Sequence, residues 1–180
     1  MSTLIFILCF LAIFHFVYEG ILAPSFRLKL RFELFELRDE VRQIKIEHKD
    51  KLNDVHFDYL QDSVNTLISI LYKFDFATLA LAESVSRSDP EFKKRAEERS
   101  RLLDDCQLDQ ARNIRKKSLK IAAKALLVNS GASTLYLFPI AMGLAGYSAL
   151  KKRIKMFASL SEPDFKKVSI DVDNAALCPS

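Results

Sequence analysis

Apolar residues fall into two long runs and one periodic stretch along this chain. Leu4 to Ala23 is almost uninterrupted hydrocarbon, and at ~20 residues it matches the roughly 30 Å core of a bilayer as a helix. Ala125 to Leu150 is a second membrane-length run, broken by Asn129, Gly131, Pro139, Gly143 and Gly146. Between the two runs, Phe26 to Glu47 begins with alternating apolar and charged residues and then settles into helical spacing. Leu30, Leu34, Leu37, Val41 and Ile44 recur on one face, and Leu28, Phe32 and Phe35 form a second strip nearly opposite. A helix that is apolar on two sides must be covered on two sides. The pattern therefore places it between other helices, or between its own domain and the membrane surface or a second subunit. Leu30, Leu34, Leu37 and Val41 are the candidate partner face.

Further along, Asn53 or Asp54 is placed to cap a helix running to about Val85. Its run from Val64 to Ala82 is long enough for a span, but Lys73 and Asp75 in the middle favour a buried core helix. Ser88 and Glu91 have the spacing of a capping box with Pro90 in the first turn. No Gly or Pro follows until Gly131, so the spacing predicts one rigid rod from Pro90 into the second apolar run, with a break near Asn113 as the alternative. From Ser159 onward the mixed-charge tail reads as extended or weakly ordered.

These elements predict an all-α membrane protein. Residues 1–23 form a signal-anchor helix, 24–124 a cytoplasmic helical hairpin or small bundle, 125–150 a second transmembrane or re-entrant segment, and 151–180 a basic and then flexible tail. Arg27, Lys29 and Arg31 after the first run put its carboxy-terminal end in the cytoplasm and the amino terminus outside. A cleaved signal peptide is the competing reading, disfavoured by the lack of a basic start and by Pro24 directly after Ala23. His15 and Glu19 share a helix face near the cytoplasmic end. They suit a headgroup-level position, with a proton relay or pore lining as the alternative.

Charge changes the reading of the second run. No Asp or Glu occurs between Gln110 and Ser161, while Arg115, Lys116 and Lys117 precede the run and Lys151, Lys152 and Arg153 follow it. These six are the candidate contacts to anionic lipid headgroups. A simple crossing carries the trailing cations to the wrong side, whereas a turn at Pro139 keeps both clusters inside but leaves each half too short to span. The two placements compete. Ala141, Ala145 and Ala149, with Gly143 and Gly146 beside them, form a ridge of small residues suited to close helix packing and hence to a homo-oligomer. Asn129, Ser130, Ser133 and Thr134 supply hydrogen bonds for helix contacts or a wet path.

The net charge of +4 does not point to nucleic acid, because from Pro24 to Lys124 acidic and basic residues nearly cancel without a one-signed stripe. Cys9, Cys106 and Cys178 have no disulfide-scaffold spacing. Four glycines in the whole chain leave little for phosphate-cradling loops, and no hydrolase, zinc-protease or dinucleotide motif is present. His48 and His56 lie about 80° apart on a helix, which suits a solvated face better than a shared metal. No cofactor or metal is expected.

In layout the chain resembles the small two-segment membrane effectors of bacterial antiphage and toxin systems; no motif carries the resemblance. It implies an inner-membrane protein held inactive by a cytoplasmic regulatory partner and permeabilising the bilayer on release. The alternative is a membrane-anchored adaptor that recruits a soluble partner through its amphipathic helices. An enzyme with an unrecognised site is the third reading.

Overall fold

The computed structural model describes residues 2–47, 54–106, 108–131 and 147–168. No strand occurs among them, so the all-helical expectation holds. Helix α1 (Ser2–Val17) passes through a π turn (Tyr18–Leu22) directly into α2 (Ala23–Glu47). Then come α3 (Asp54–Ile70), a 3₁₀ turn (Leu71–Lys73), α4 (Phe76–Ser88), α5 (Pro90–Asp104), α6 (Asp109–Asn129) and α7 (Tyr147–Phe157), with a last helical stretch at 162–168. Among the described residues, only the continuous helix Ser2–Glu47 is long and apolar enough to cross a membrane.

The two halves of that helix live in different surroundings. α1 has no buried residue, and Leu4, Phe6, Phe10, Ile13 and Phe16 are all more than half exposed. In α2 the face Leu30, Leu34, Leu37, Val41 and Ile44 is buried against α6 and α3. The face assigned to a partner is thus the chain's own core. The helical period was read correctly, but a stripe buried within one chain and one buried between chains have the same spacing. On the opposite strip Leu28 is 50 % and Phe32 61 % exposed, while Phe35 is half-buried beneath the guanidinium groups of Arg31 and Arg38, at 5.4 and 5.1 Å from its ring centroid.

α3 carries Phe57, Leu60, Val64, Leu67 and Ile70 into this core, so the apolar run from Val64 is an interior helix as expected. It does not continue to Val85. The chain leaves the helix at Phe74 and restarts at Asp75, whose carboxylate accepts the Thr78 amide at 2.8 Å. That cap lets Phe74 turn inward, where it meets Phe157 at 4.8 Å between ring centroids; Phe157 in turn meets Phe165 edge-on at 5.8 Å.

Two helix boundaries differ from expectation. The cap of α5 is Asp89, which accepts the Phe92 amide at 2.9 Å with Pro90 in the first turn, while the Ser88 hydroxyl bonds back to Ser84 O. Asp wins here because its φ and ψ of −120° and 96° leave the helix while those of Ser88 remain in it. The expected rod is interrupted between Asp104 and Asp109, not at Asn113. Turning there buries Leu103, Cys106 and Ala111, and folds α6 back along α2.

The bracketed run is divided. Ala125 and Leu126 are interior residues of α6, each 1 % exposed, and Leu150 on α7 packs against the same core. Phe157, Leu160, Phe165 and Val168, all beyond the run, share that core with Ala122 and Leu126. A crossing by the whole of Ala125 to Leu150 would put these two groups on opposite sides of a bilayer, and their packing together contradicts it. The tail is likewise ordered as far as residue 168, because Phe165 and Val168 are buried. Pro139, Ala141, Gly143, Ala145 and Gly146 lie outside the described residues, as do Ser133, Thr134, His48 and Cys178.

Candidate functional site at the α1–α2 junction

The junction between α1 and α2 follows from one residue. Pro24 has no N–H to give the carbonyl four residues before it, and its ring crowds that carbonyl. The preceding turn therefore widens, and the Ala23 amide reaches back five residues to Tyr18 O. Gly20 sits in this turn, where an added Cβ would meet nothing within 4 Å. Ser25 repairs part of the ladder by donating its hydroxyl to Ile21 O at 2.8 Å.

The widened turn lies against the end of α6. Tyr18 donates its hydroxyl to Val128 O at 3.4 Å, and Arg27 donates Nε to Asn129 Oδ1 at 2.8 Å. The Asn129 amide nitrogen donates to Leu71 O and to Phe74 O, the latter at 3.1 Å. Ser130 accepts the Phe76 amide at 3.2 Å and donates to Leu126 O at 2.7 Å, and Gly131 follows with φ of 79°. Only glycine takes that left-handed conformation at little cost, so it ends α6 cleanly. One side chain, Asn129, thus joins the start of α2, the α3–α4 turn and α6. Arg27 also stands at the negative end of the α6 dipole. The sequence pattern puts Asn129 in the membrane-length run, whereas its hydrogen bonds tie it to α2 and the α3–α4 turn at the bundle's edge.

The six cations assigned to lipid headgroups divide by partner. Arg115 is only 2 % exposed, and its guanidinium bonds Lys155 O at 3.2 Å, Ala158 O at 3.4 Å and Ser159 Oγ, covering the carbonyls that end α7. Asp104 lies 3.9 Å from its Nε and also pairs with Lys155. Burial pulls the Arg115 pKa down to about 10, against the opposing pull of Asp104. A headgroup role is excluded by that burial. Lys117 holds Glu40 at 2.6 and 2.9 Å, and Arg153 holds Glu83 at 2.9 Å. Lys116, Lys151 and Lys152 are exposed, as is Ala149.

No protein family matches this chain, and neither does any curated protein or solved structure.

Among the described residues no group of three or more His, Cys, Asp or Glu could hold a metal. An open cleft of about 490 Å³ runs between α2 and α6, lined by Glu40, Gln43, Lys116, Lys117 and Lys120. Its Lys117–Glu40 pair, with Lys124–Glu33 at 3.2 Å farther along, fastens the two helices together. Sequence reasoning missed Tyr18 and Arg27 as contacts of the bundle, because their partners are backbone and amide groups more than 100 positions away. It also missed Asp104 and Ser159 around Arg115. The signal for this junction is Pro24 inside an apolar helix, which demands a register change somewhere within one turn before it.

Proposed function

We propose that this chain is a membrane-tethered helical module. Leu4 to Ala23 inserts in the cell inner membrane with the amino terminus outside, and the bundle stands on the cytoplasmic face and acts by assembly and recruitment. The observation that carries the reading is the continuous helix Ser2–Glu47, whose first half has no buried residue and whose second half builds the core. Such a helix suits a boundary between two solvents near Ala23. The cations Arg27, Lys29 and Arg31 just past that point support the orientation. The test is removal of residues 2–22. The shortened chain should leave the membrane fraction in alkaline carbonate while keeping its helical circular dichroism. Retention of the shortened chain in the membrane would overturn the single-helix tether.

A second reading, membrane permeabilisation, is favoured by one feature. Residues 132–146 contain no charged side chain, and they leave from Gly131, beside the foot of the anchor. Release of that stretch by a regulatory partner would bring apolar chain to the bilayer. Expression of the full chain with a potential-sensitive dye tests it, and an undisturbed potential at high expression with the trigger present counts against it.

A further inference from the structure

We propose that the outer strip of α2 is a seam for a second copy of this chain, aligned parallel. The strip is Leu28, Phe32 and Phe35, spaced four and then three residues apart on the side of α2 away from α6 and α3. That is the spacing of a coiled-coil seam, and in its register Phe32 takes position a while Leu28 and Phe35 take d. Arg31 then falls at g and Glu36 at the following e. In a parallel pair the g side chain of one helix meets that e side chain of the other, so Arg31 faces the second copy's Glu36 and the reverse pair repeats it across the two-fold axis. The charges are opposite. Within the chain Arg31 stacks on the Phe35 ring at 5.4 Å, which holds it beside the seam, and among the described residues Glu36 has no ion-pair partner.

Lipid is the poorer occupant. Along a continuous helix Phe32 stands about 13 Å beyond Ala23, whereas the polar layer on each side of a bilayer core is roughly 5–8 Å deep. The seam is short, because Asp39 and Arg42 occupy its next two positions and pair with each other at 3.5 Å. Three layers of contact would not hold copies together in free solution. Threading both anchors through one bilayer supplies the missing effective concentration and permits only the parallel arrangement. The inference therefore rests on the tether proposed above.

Cysteine cross-linking of the full chain in native membranes tests it, in a background with Cys9→Ser, Cys106→Ala and Cys178→Ser. Phe32→Cys should form a disulfide-linked dimer under mild oxidation, and Lys94→Cys, on the exposed face of α5, should not. With Phe32→Cys as reporter, Arg31→Glu or Glu36→Arg alone should lower the dimer fraction about three- to tenfold, and the two together should restore it. Restoration is the outcome that a lipid contact or a foreign partner does not produce. Equal cross-linking of Phe32→Cys and Lys94→Cys, or no rescue by the double reversal, overturns the proposal. If the protein leaves the membrane in carbonate, the tether has failed instead; if it is retained without cross-linking, only the seam has.

Discussion

Replacing Asn129 with Ala removes three hydrogen bonds at once and leaves the Arg27 guanidinium and the Leu71 and Phe74 carbonyls to find other partners. A bond from a charged donor contributes about 1.5–3 kcal/mol and each amide bond to a carbonyl about 0.5–1.5 kcal/mol. The simple sum is roughly 2.5–6 kcal/mol, but the site is half-buried, and water re-partners some of the freed groups. A loss of about 2–3 kcal/mol is therefore expected, equivalent to a fall in Tm of roughly 5–10 °C for a chain of this size. Urea unfolding of the full chain in mild detergent, followed by circular dichroism, measures it. Arg27→Met removes one of the same bonds and should cost about 1–2 kcal/mol. Because the two variants share that bond, the double variant should lose about 1 kcal/mol less than their sum. An Asn129→Ala loss under about 0.5 kcal/mol, or strict additivity with Arg27→Met, would refute the view that Asn129 ties the start of α2 to the α3–α4 turn.

Other outcomes follow from the core and the buried charge. Leu34→Ala, at a fully buried position, should cost about 2.5–4 kcal/mol in the same unfolding assay, while Phe32→Ala on the open strip should change monomer stability by less than about 0.5 kcal/mol. Arg115→Ala should cost about 3 kcal/mol, because the α7 carbonyls lose their donor and a long buried side chain leaves a cavity. Asp89 accepts the Phe92 amide, which holds its carboxyl below the usual range with help from Glu91 N–H, Lys167 and Arg95. Its folded pKa lies below its unfolded one, so its contribution is complete above pH ~4 and fades as the pH falls through the folded value. Asp89→Asn should flatten that part of an acid-unfolding curve, and an unchanged curve would show that the cap does not titrate with folding.

How much was legible depended on the range of the interaction. The core stripe of α2 came directly from spacing, since periodicity reports burial whatever the partner, and the interior character of Val64–Ala82 came from Lys73 and Asp75 within it. Its owner was not legible: Leu34 facing α6 and Leu34 facing another protein are spelled alike. The break at Asp104 carries no Gly or Pro, and it exists because Leu103, Cys106 and Ala111 gain a common interior by turning. The Asp75 and Thr78 cap was written in the chain, but it was hidden by reading the surrounding apolar run as one helix. Arg115 shows the opposite failure. In a row of lysines it reads as surface, and only the convergence of α7 carbonyls around it makes burial tolerable. For Asn129, amide chemistry was recognised as bond-forming, but its partners lay in turns that no local rule connects to it.

The sharing of one helix between an open apolar half and a core-building half also sets an order in time. α1 leaves the ribosome first, and α2 follows with Leu30, Leu34, Leu37, Val41 and Ile44 still uncovered. Their main neighbour α6 ends at Asn129, about 85 residues later, which is roughly 4–17 s at ordinary rates of synthesis. For that interval the nascent chain carries an apolar first helix and, beside it, a stripe that α3 covers only in part. Mixed charges at Glu33, Glu36, Arg38, Asp39, Glu40 and Arg42 then serve a purpose that the finished fold does not display. Charges of both signs suit the waiting helix to water until α6 closes over it.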